Sequence, residues 1–173
     1  MGAVDAVWLP FELHPEVPSE GVPRSQYFPP GRVRQIADGM KALAAEVGLT
    51  MRERERLVNS RLALATAEFA RERGAFEPVH RALFKLHWEG PGELDDVQEL
   101  GGVVSAAGLD PAELEPALAG GRYDGVIDAN RHEALAVGIN AVPAHIFGRR
   151  YLVVGAQPDE LYDQVLRKLA SES

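Results

Sequence analysis

Apolar residues recur at helical spacing through the middle of the chain. One such set ends just before Gly48 and consists of Val33, Ile36, Met40, Leu43, Ala44 and Val47. Intervals of three and four residues place side chains on one face of a helix, and a glycine after the last apolar position is a common stop. The same pattern predicts five further helices, which begin near residues 60, 76, 94, 110 and 123.

A period of two residues at the start of the chain predicts a first strand over Val4–Leu13. Val7, Leu9 and Phe11 fall on one face of this segment, which is typical of a strand that packs against a core. Pro10 lacks a backbone donor, so we expect an edge position or a bulge there.

Two short apolar runs near the C-terminus predict a pair of strands followed by a helix. The runs lie on either side of Gly148–Arg150. Leu161, Val165 and Leu169 then recur at four-residue intervals, which indicates a helix. The order is thus one strand, a helical block, two strands and a helix. This order predicts the α/β class, with a small sheet and a large helical insertion.

Two segments between these elements lack an apolar pattern. Residues 14–30 are rich in proline and glycine, which predicts a long loop anchored by Tyr27 and Phe28. Arginine and glutamate alternate over Arg52–Arg56, and we interpret this run as a solvated helix or turn.

Composition and charge exclude several classes of function. The 173 residues fit one domain with a real core. The net charge is −8 and the basic residues are scattered, whereas nucleic-acid binding needs clustered Lys and Arg. No apolar run approaches the roughly 18 residues of a membrane helix, and no secretory signal is visible. We therefore expect a cytoplasmic protein that binds neither nucleic acid nor a membrane.

No set of residues in the sequence predicts a catalytic or metal site. The chain has no cysteine, and its five histidines show no zinc-ligand spacing. The carboxylates of Glu12, Glu16 and Glu20 lie near His14 in the sequence, but the pattern does not fix their separation. We assign no catalytic residue, no metal ligand and no cofactor.

Two positions are candidates for ligand binding. Pro143 stands between a polar turn and a predicted strand, where it removes a ladder donor. Either a cis bond after Val142 turns the preceding backbone groups toward an extended ligand, or an ordinary trans proline starts the strand. Asn59 either caps the helix that follows it or lies at the mouth of a cleft.

Five stretches spread over nearly the whole chain carry a family pattern: Trp8–Pro15, Asn59–Ala63, Phe76–Phe84, Gly138–Pro143 and Tyr151–Pro158. Together they resemble the DsbA-like family of thioredoxin-fold oxidoreductases, in particular its FrnE-like branch. The 2-hydroxychromene-2-carboxylate isomerases are near relatives. The resemblance implies one domain over 1–173, with a thioredoxin-like part at 1–15 and 139–173 and a helical insertion over about 30–137. It also implies a cis bond before Pro143.

The resemblance further implies that a segment is missing. In such proteins a strand and a helix bearing Cys-x-x-Cys precede the strand that matches Trp8–Leu13, and the isomerase relatives carry a serine there and use glutathione. Few residues precede Trp8 here, so we expect an N-terminally truncated fold. No catalytic residue carries over. Val142 and Pro143 carry over as the ligand-facing loop, and Asn59 carries over as a cleft residue.

In this family the missing strand would be the central one. Its loss would leave two rows of unpaired backbone groups, which is costly when they are buried. Either the Val4–Leu13 strand shifts across to pair with Ala144–Phe147, or a second copy of the chain covers the opening. Because an opened apolar face favours association, we expect a homodimer.

Three functions are compatible with this resemblance. The first is a DsbA-family oxidoreductase by descent that cannot exchange thiols as this chain stands, because the chemistry needs a thiolate. The second is a module that binds a peptide, glutathione or a partner protein beside Pro143. The third, ranked last, is a glutathione-dependent isomerase or transferase. Its ligand supplies the thiolate, but the protein must stabilise it with a hydroxyl or a helix N-terminus.

Overall fold

The computed structural model describes residues 4–29 and 31–172. It divides into two compact units, Met1–Asp128 and Ala129–Ser173, and the assignment of 1–173 to one domain stays a prediction. In chain order the elements are β1 (Val22–Pro23), α1 (Arg24–Tyr27), α2 (Arg32–Glu46), β2 (Arg56–Leu57), α3 (Arg61–Glu72), α4 (Phe76–Trp88), α5 (Val97–Ala106), α6 (Pro111–Ala119), α7 (Asp124–Ala136), β3 (Ala144–Phe147), β4 (Tyr151–Val154) and α8 (Asp159–Ser171).

Helix α3 lies at the centre of the core of the first unit because its buried side chains are mostly small. Its buried residues include four alanines together with Phe69, which is fully buried. Small side chains allow close approach on several sides, and α4, α5 and α6 all contact α3. The fully buried apolar residues that complete this core are Val79, Leu100, Val104, Leu114 and Ile127.

Aspartate caps fix where two of these helices begin. The carboxylate of Asp96 accepts a hydrogen bond of 2.8 Å from the backbone N–H of Gln98, so α5 starts at Val97 rather than at the predicted Leu94. Asp110 likewise accepts from the N–H of Ala112 at 2.9 Å and caps α6. The predicted helices of this block are confirmed, with small shifts at their ends.

The second unit contains a hairpin packed on a helix. Strands β3 and β4 pair antiparallel from Ala144 opposite Val154 to Phe147 opposite Tyr151. Gly148 and Arg149 follow β3 with φ of 54° and 60°, and positive φ at two adjacent positions is typical of hairpin turns. Helix α8 contacts β3. The predicted strand pair and the helix after it are confirmed.

The predicted first strand over Val4–Leu13 is wrong. No part of residues 4–13 is in a strand, so this segment does not pair with Ala144–Phe147 either. Val7, Trp8 and Leu9 are all exposed, so the alternation does not separate a buried face from a solvated one. The segment is held differently, because the carbonyl of Trp8 accepts from Arg71 Nη2 at 2.7 Å and its ring lies 4.6 Å from the ring of His80.

Short elements occur in the two segments without an apolar pattern. Strand β1 pairs with β2, with Val22 opposite Leu57, and α1 follows β1 directly. The loop predicted for residues 14–30 therefore contains a strand and a helical turn. The prediction of a solvated element at Arg52–Arg56 is wrong for Arg54, which is 6% exposed. A guanidinium can be buried there because acceptors elsewhere in the fold satisfy its donors.

Candidate functional site

The loop that leads into β3 contains two of the predicted binding residues. The peptide bond between Val142 and Pro143 is cis. The side chain of Val142 is 49% exposed, while the carbonyl of Pro143 accepts a hydrogen bond of 2.7 Å from the N–H of Gly155. The loop is thus tied to the residue after β4, and Val142 remains open to solvent.

The hairpin has one covered face and one open face. On the covered face the ring of Tyr162 in α8 lies 5.2 Å from the ring of His145 and 6.1 Å from that of Phe147. On the open face Ile146 is 52% exposed and Leu152 is 41% exposed, and these two residues lie directly opposite each other. Adjacent exposed aliphatic side chains on a sheet are suited to contact with another apolar group.

Strand β3 also has a free edge. Among the residues that the structure describes, β3 pairs with β4 alone, so backbone donors and acceptors remain on its other side. An extended chain can add to such an edge through main-chain hydrogen bonds. The edge begins next to Val142. The arrangement supplies no thiolate, because the chain has no cysteine.

Asn59, the third predicted binding residue, lies in the first unit directly before α3. Its Oδ1 accepts a hydrogen bond of 2.8 Å from the backbone N–H of Arg61, and its Nδ2 donates one of 2.6 Å to the carbonyl of buried Val17. Ser60 occupies the N-cap position of α3, and Asn59, one residue earlier, satisfies the first backbone N–H of the helix. Its role in ligand binding stays a prediction, and it lies in a different unit from Val142 and Pro143.

An ion cluster around Arg61 was not identified from the sequence. The guanidinium donates to Glu12 at 2.7 Å and to Asp124 and Asp128 at 2.9 Å each. Glu12 is almost fully buried. Burial opposes the charge of Arg61, but hydrogen bonds from Asp128, Glu12 and Asp124 together raise its pKa above the usual value. The sequence feature that could have indicated this cluster is Glu12, a carboxylate within the apolar run before His14.

Arg54 caps the C-terminus of α4. Its Nε and Nη2 donate to the carbonyl of His87 at 2.8 and 2.6 Å, and Nη2 also donates to the carbonyls of Leu86 and Gly90. Nη1 donates to Glu93 at 2.9 Å. Carbonyls at a helix C-terminus lack partners within the helix and carry partial negative charge, so a guanidinium is favoured there.

The imidazole of His87 lies in the same region. Burial, with smaller contributions from the charges of Arg54 and Arg24, lowers the pKa of His87 to about 4. Its Nδ1 is buried without a hydrogen-bond partner in the described part of the chain. The ring is therefore neutral at physiological pH.

The described residues form neither a metal-binding cluster nor a membrane-spanning helix. Across residues 4–29 and 31–172, no three His, Asp or Glu side chains converge as metal ligands. No helix in the same residues is long and apolar enough to span a bilayer.

Nearly all of the chain is similar to known proteins. Residues 2–167 match the family model described as a DSBA-like thioredoxin domain. Among solved structures, a probable DsbA oxidoreductase from Streptomyces coelicolor is similar, with a TM-score of 0.84 and 27% sequence identity. The alignment covers 94% of this chain and 74% of the other. No curated protein sequence matches this chain.

These comparisons confirm the fold class that the sequence predicts, a helix-rich α/β protein with a thioredoxin-like fold. They also confirm the resemblance at the level of the family. The chain belongs to the family of DSBA-like thioredoxin domains.

Proposed function

We propose that this chain is a DsbA-family module, of the FrnE-like branch, that binds an extended peptide or glutathione beside Pro143. The observation that carries the proposal is the position of Val142. Its half-exposed side chain lies where the free edge of β3 begins. A ligand that adds to this edge gains main-chain hydrogen bonds and contacts Val142 at the same time.

Two further features support binding at this edge. The hydrogen bond from Gly155 to the carbonyl of Pro143 holds the loop in place before a ligand arrives, and preorganisation lowers the entropic cost of binding. Ile146 and Leu152 offer exposed apolar contacts on the same strand pair. Side chains of an extended ligand alternate in direction, so every second one can reach this face.

We also propose that this chain does not carry out thiol–disulfide exchange. Exchange begins with attack by a thiolate on a disulfide sulfur, and the 173 residues contain no cysteine. An oxidoreductase reaction at this scaffold would need a thiol from another molecule or segment. In an insulin-reduction assay with dithiothreitol, we expect no rate above that of dithiothreitol alone. Measurable catalysis would contradict this part of the proposal and leave the binding part standing.

Isothermal titration calorimetry tests the binding part. The chain is titrated with glutathione and separately with an extended peptide. Val142→Glu places a charge at the proposed contact and is expected to weaken binding about tenfold or more. Val137→Glu is the matched control, because Val137 is an exposed valine after α7. Equal affinities of the two variants, or no heat with either ligand, would contradict the proposal.

A homodimer is the last part of the proposal. Several large apolar side chains of the first unit are exposed, among them Leu43, Val47 and Leu49. Contiguous exposed apolar surface favours association, and pairs with two-fold symmetry are the most common result. Sedimentation velocity at micromolar concentrations should show a dimer, and a chain that stays monomeric would overturn this part.

A further inference from the structure

Helix α2 has an apolar stripe that its own chain covers on one side. Ala37 and Ala44 on that side are buried. The adjacent line of the helix carries Ile36, Leu43 and Val47, of which Leu43 is 57% exposed and Val47 is 71% exposed. Seven residues make about two turns of helix, so half-buried Ile36 and exposed Leu43 lie one above the other, and exposed Val47, directly after α2, continues the row.

A second row, beside the exposed stripe, ends in opposite charges. Arg32, Gly39 and Glu46 are spaced seven residues apart and therefore lie one above another along α2. Arg32 and Glu46 are exposed, and neither has an ion pair with the other described residues. Around Gly39, no heavy atom lies within 4 Å of the position that a Cβ would take. The middle of the row therefore permits close approach of another helix.

We infer that α2 packs against α2 of a second copy of the chain, antiparallel, about a two-fold axis near Gly39. This inference rests on the proposed homodimer and names its surface. Arg32 and Glu46 are equally far from Gly39, so antiparallel pairing places Arg32 of one copy opposite Glu46 of the other, twice. Parallel pairing would place like charges opposite each other, which is unfavourable. In the antiparallel pair, Leu43 and Val47 are buried against the second helix.

The contact covers a single 15-residue helix, which is about 22 Å long at 1.5 Å per residue. That length gives a small interface, and small interfaces are typical of weak association. The dimer is therefore expected to dissociate within the micromolar range, where sedimentation velocity can follow both species.

The first test uses one apolar substitution and a matched control in the full chain. Leu43→Glu buries a charge at the proposed contact and should weaken dimerisation about tenfold or more. Leu135→Glu changes an exposed leucine of α7 and should leave dimerisation unchanged. Far-UV circular dichroism of both variants establishes that they are folded.

The second test uses the charges. Arg32→Glu alone creates two Glu–Glu pairs, and Glu46→Arg alone creates two Arg–Arg pairs, so each variant should associate more weakly than the wild type. An equimolar mixture of the two variants restores both opposite-charge pairs and should form heterodimers. Failure of the mixture to associate more strongly than either variant alone would overturn the antiparallel arrangement.

The results of these experiments distinguish failure of the proposed homodimer from failure of the α2 surface. A monomeric wild-type chain throughout the micromolar range would overturn both. A wild-type dimer that persists unchanged in Leu43→Glu, Arg32→Glu and Glu46→Arg would overturn the α2 surface alone. Dimerisation that is lost in Leu43→Glu, retained in Leu135→Glu and restored in the charge mixture is the expected result.

Discussion

Nη1 of Arg61 lies 2.7 Å from Oε2 of Glu12, and the carboxylate is almost fully buried. The two residues are 49 positions apart in the chain. Their ion pair holds the N-terminal segment against α3, although that segment forms no strand. A buried carboxylate is tolerated when a hydrogen-bonded cation compensates its lost hydration.

Removal of the Arg61 charge should therefore destabilise the fold strongly. Arg61→Met keeps much of the side-chain volume but removes the cation that contacts the buried carboxylate of Glu12, which we expect to lower the free energy of unfolding by about 3 kcal/mol. Arg81→Met is the control, because Arg81 is 78% exposed and pairs with Glu77 on the surface. Exposed pairs contribute roughly 0–1 kcal/mol. Urea denaturation measures the free energy of unfolding of both variants. An equal decrease in Arg61→Met and Arg81→Met would contradict the importance of the Arg61–Glu12 pair.

Arg54→Lys should destabilise the fold, because the geometry of the guanidinium contributes to stability in addition to its charge. Lysine cannot reproduce several directed hydrogen bonds to the carbonyls at the end of α4, so we expect a loss of about 1–3 kcal/mol. Arg52→Lys is the matched control. Arg52 is exposed and makes one side-chain hydrogen bond of 3.2 Å to the carbonyl of Gly90. A chemical denaturation midpoint for Arg54→Lys at the level of Arg52→Lys would contradict this interpretation.

Stability should depend on pH through His87. The folded pKa of His87, about 4, lies below the usual value of 6.5. Between these values the unfolded chain binds a proton that the folded chain does not. The free energy of unfolding therefore falls as the pH falls from 6.5 toward 4, by on the order of 2 kcal/mol from this residue.

Urea denaturation at several pH values measures this dependence. His87→Leu removes the titrating group and should flatten the profile in that window, whereas replacement of the exposed His132 by Gln should not. An unchanged slope in His87→Leu would show that other groups cause the pH dependence.

Gly148→Ala should destabilise the hairpin of the second unit. Gly148 has φ of +54°, which disfavours a side chain, and a Cβ there would lie 2.5 Å from a methyl group of Leu169. Because that methyl group ends a flexible side chain, we expect a moderate cost of about 1–2 kcal/mol. Gly102→Ala is the control, since it lies in α5 with open space around it. Gly102→Ala should raise the free energy of unfolding by about 0.5–1 kcal/mol. A similar loss of stability in both variants would contradict the role of the positive φ and the close contact at Gly148.

Local patterns in the sequence predicted most of the regular elements correctly. Helical spacing located the long helices, and the apolar runs around Gly148 located β3 and β4. These signals succeed because they reflect contacts within one element or between neighbours in the chain. The segment Val4–Leu13 has the same two-residue period but forms no strand. A strand also requires a partner, and periodicity carries no information about one.

The ionic contacts of Arg54 and Arg61 could not be predicted, because they too depend on partners that the local sequence does not identify. Arg54 and Arg61 look like ordinary surface residues in the sequence, because their partners lie more than 30 positions away. Pro143 was a candidate because of its place before a predicted strand, and the family resemblance then implied that Val142 and Pro143 form the ligand-facing loop. Asn59 was ambiguous from the sequence, because its hydrogen bonds to the backbone of Val17 and Arg61 depend on the fold around it.

The central claim is that the free edge of β3 beside Pro143 binds an extended ligand. The most direct measurement is a ¹H–¹⁵N NMR titration of the full chain with glutathione and with an extended peptide. The account predicts saturable shifts at Val142, Ala144 and Ile146, with the amide of Val137 unmoved. The absence of shifts with both ligands, or shifts confined to residues before Ala129, would contradict it.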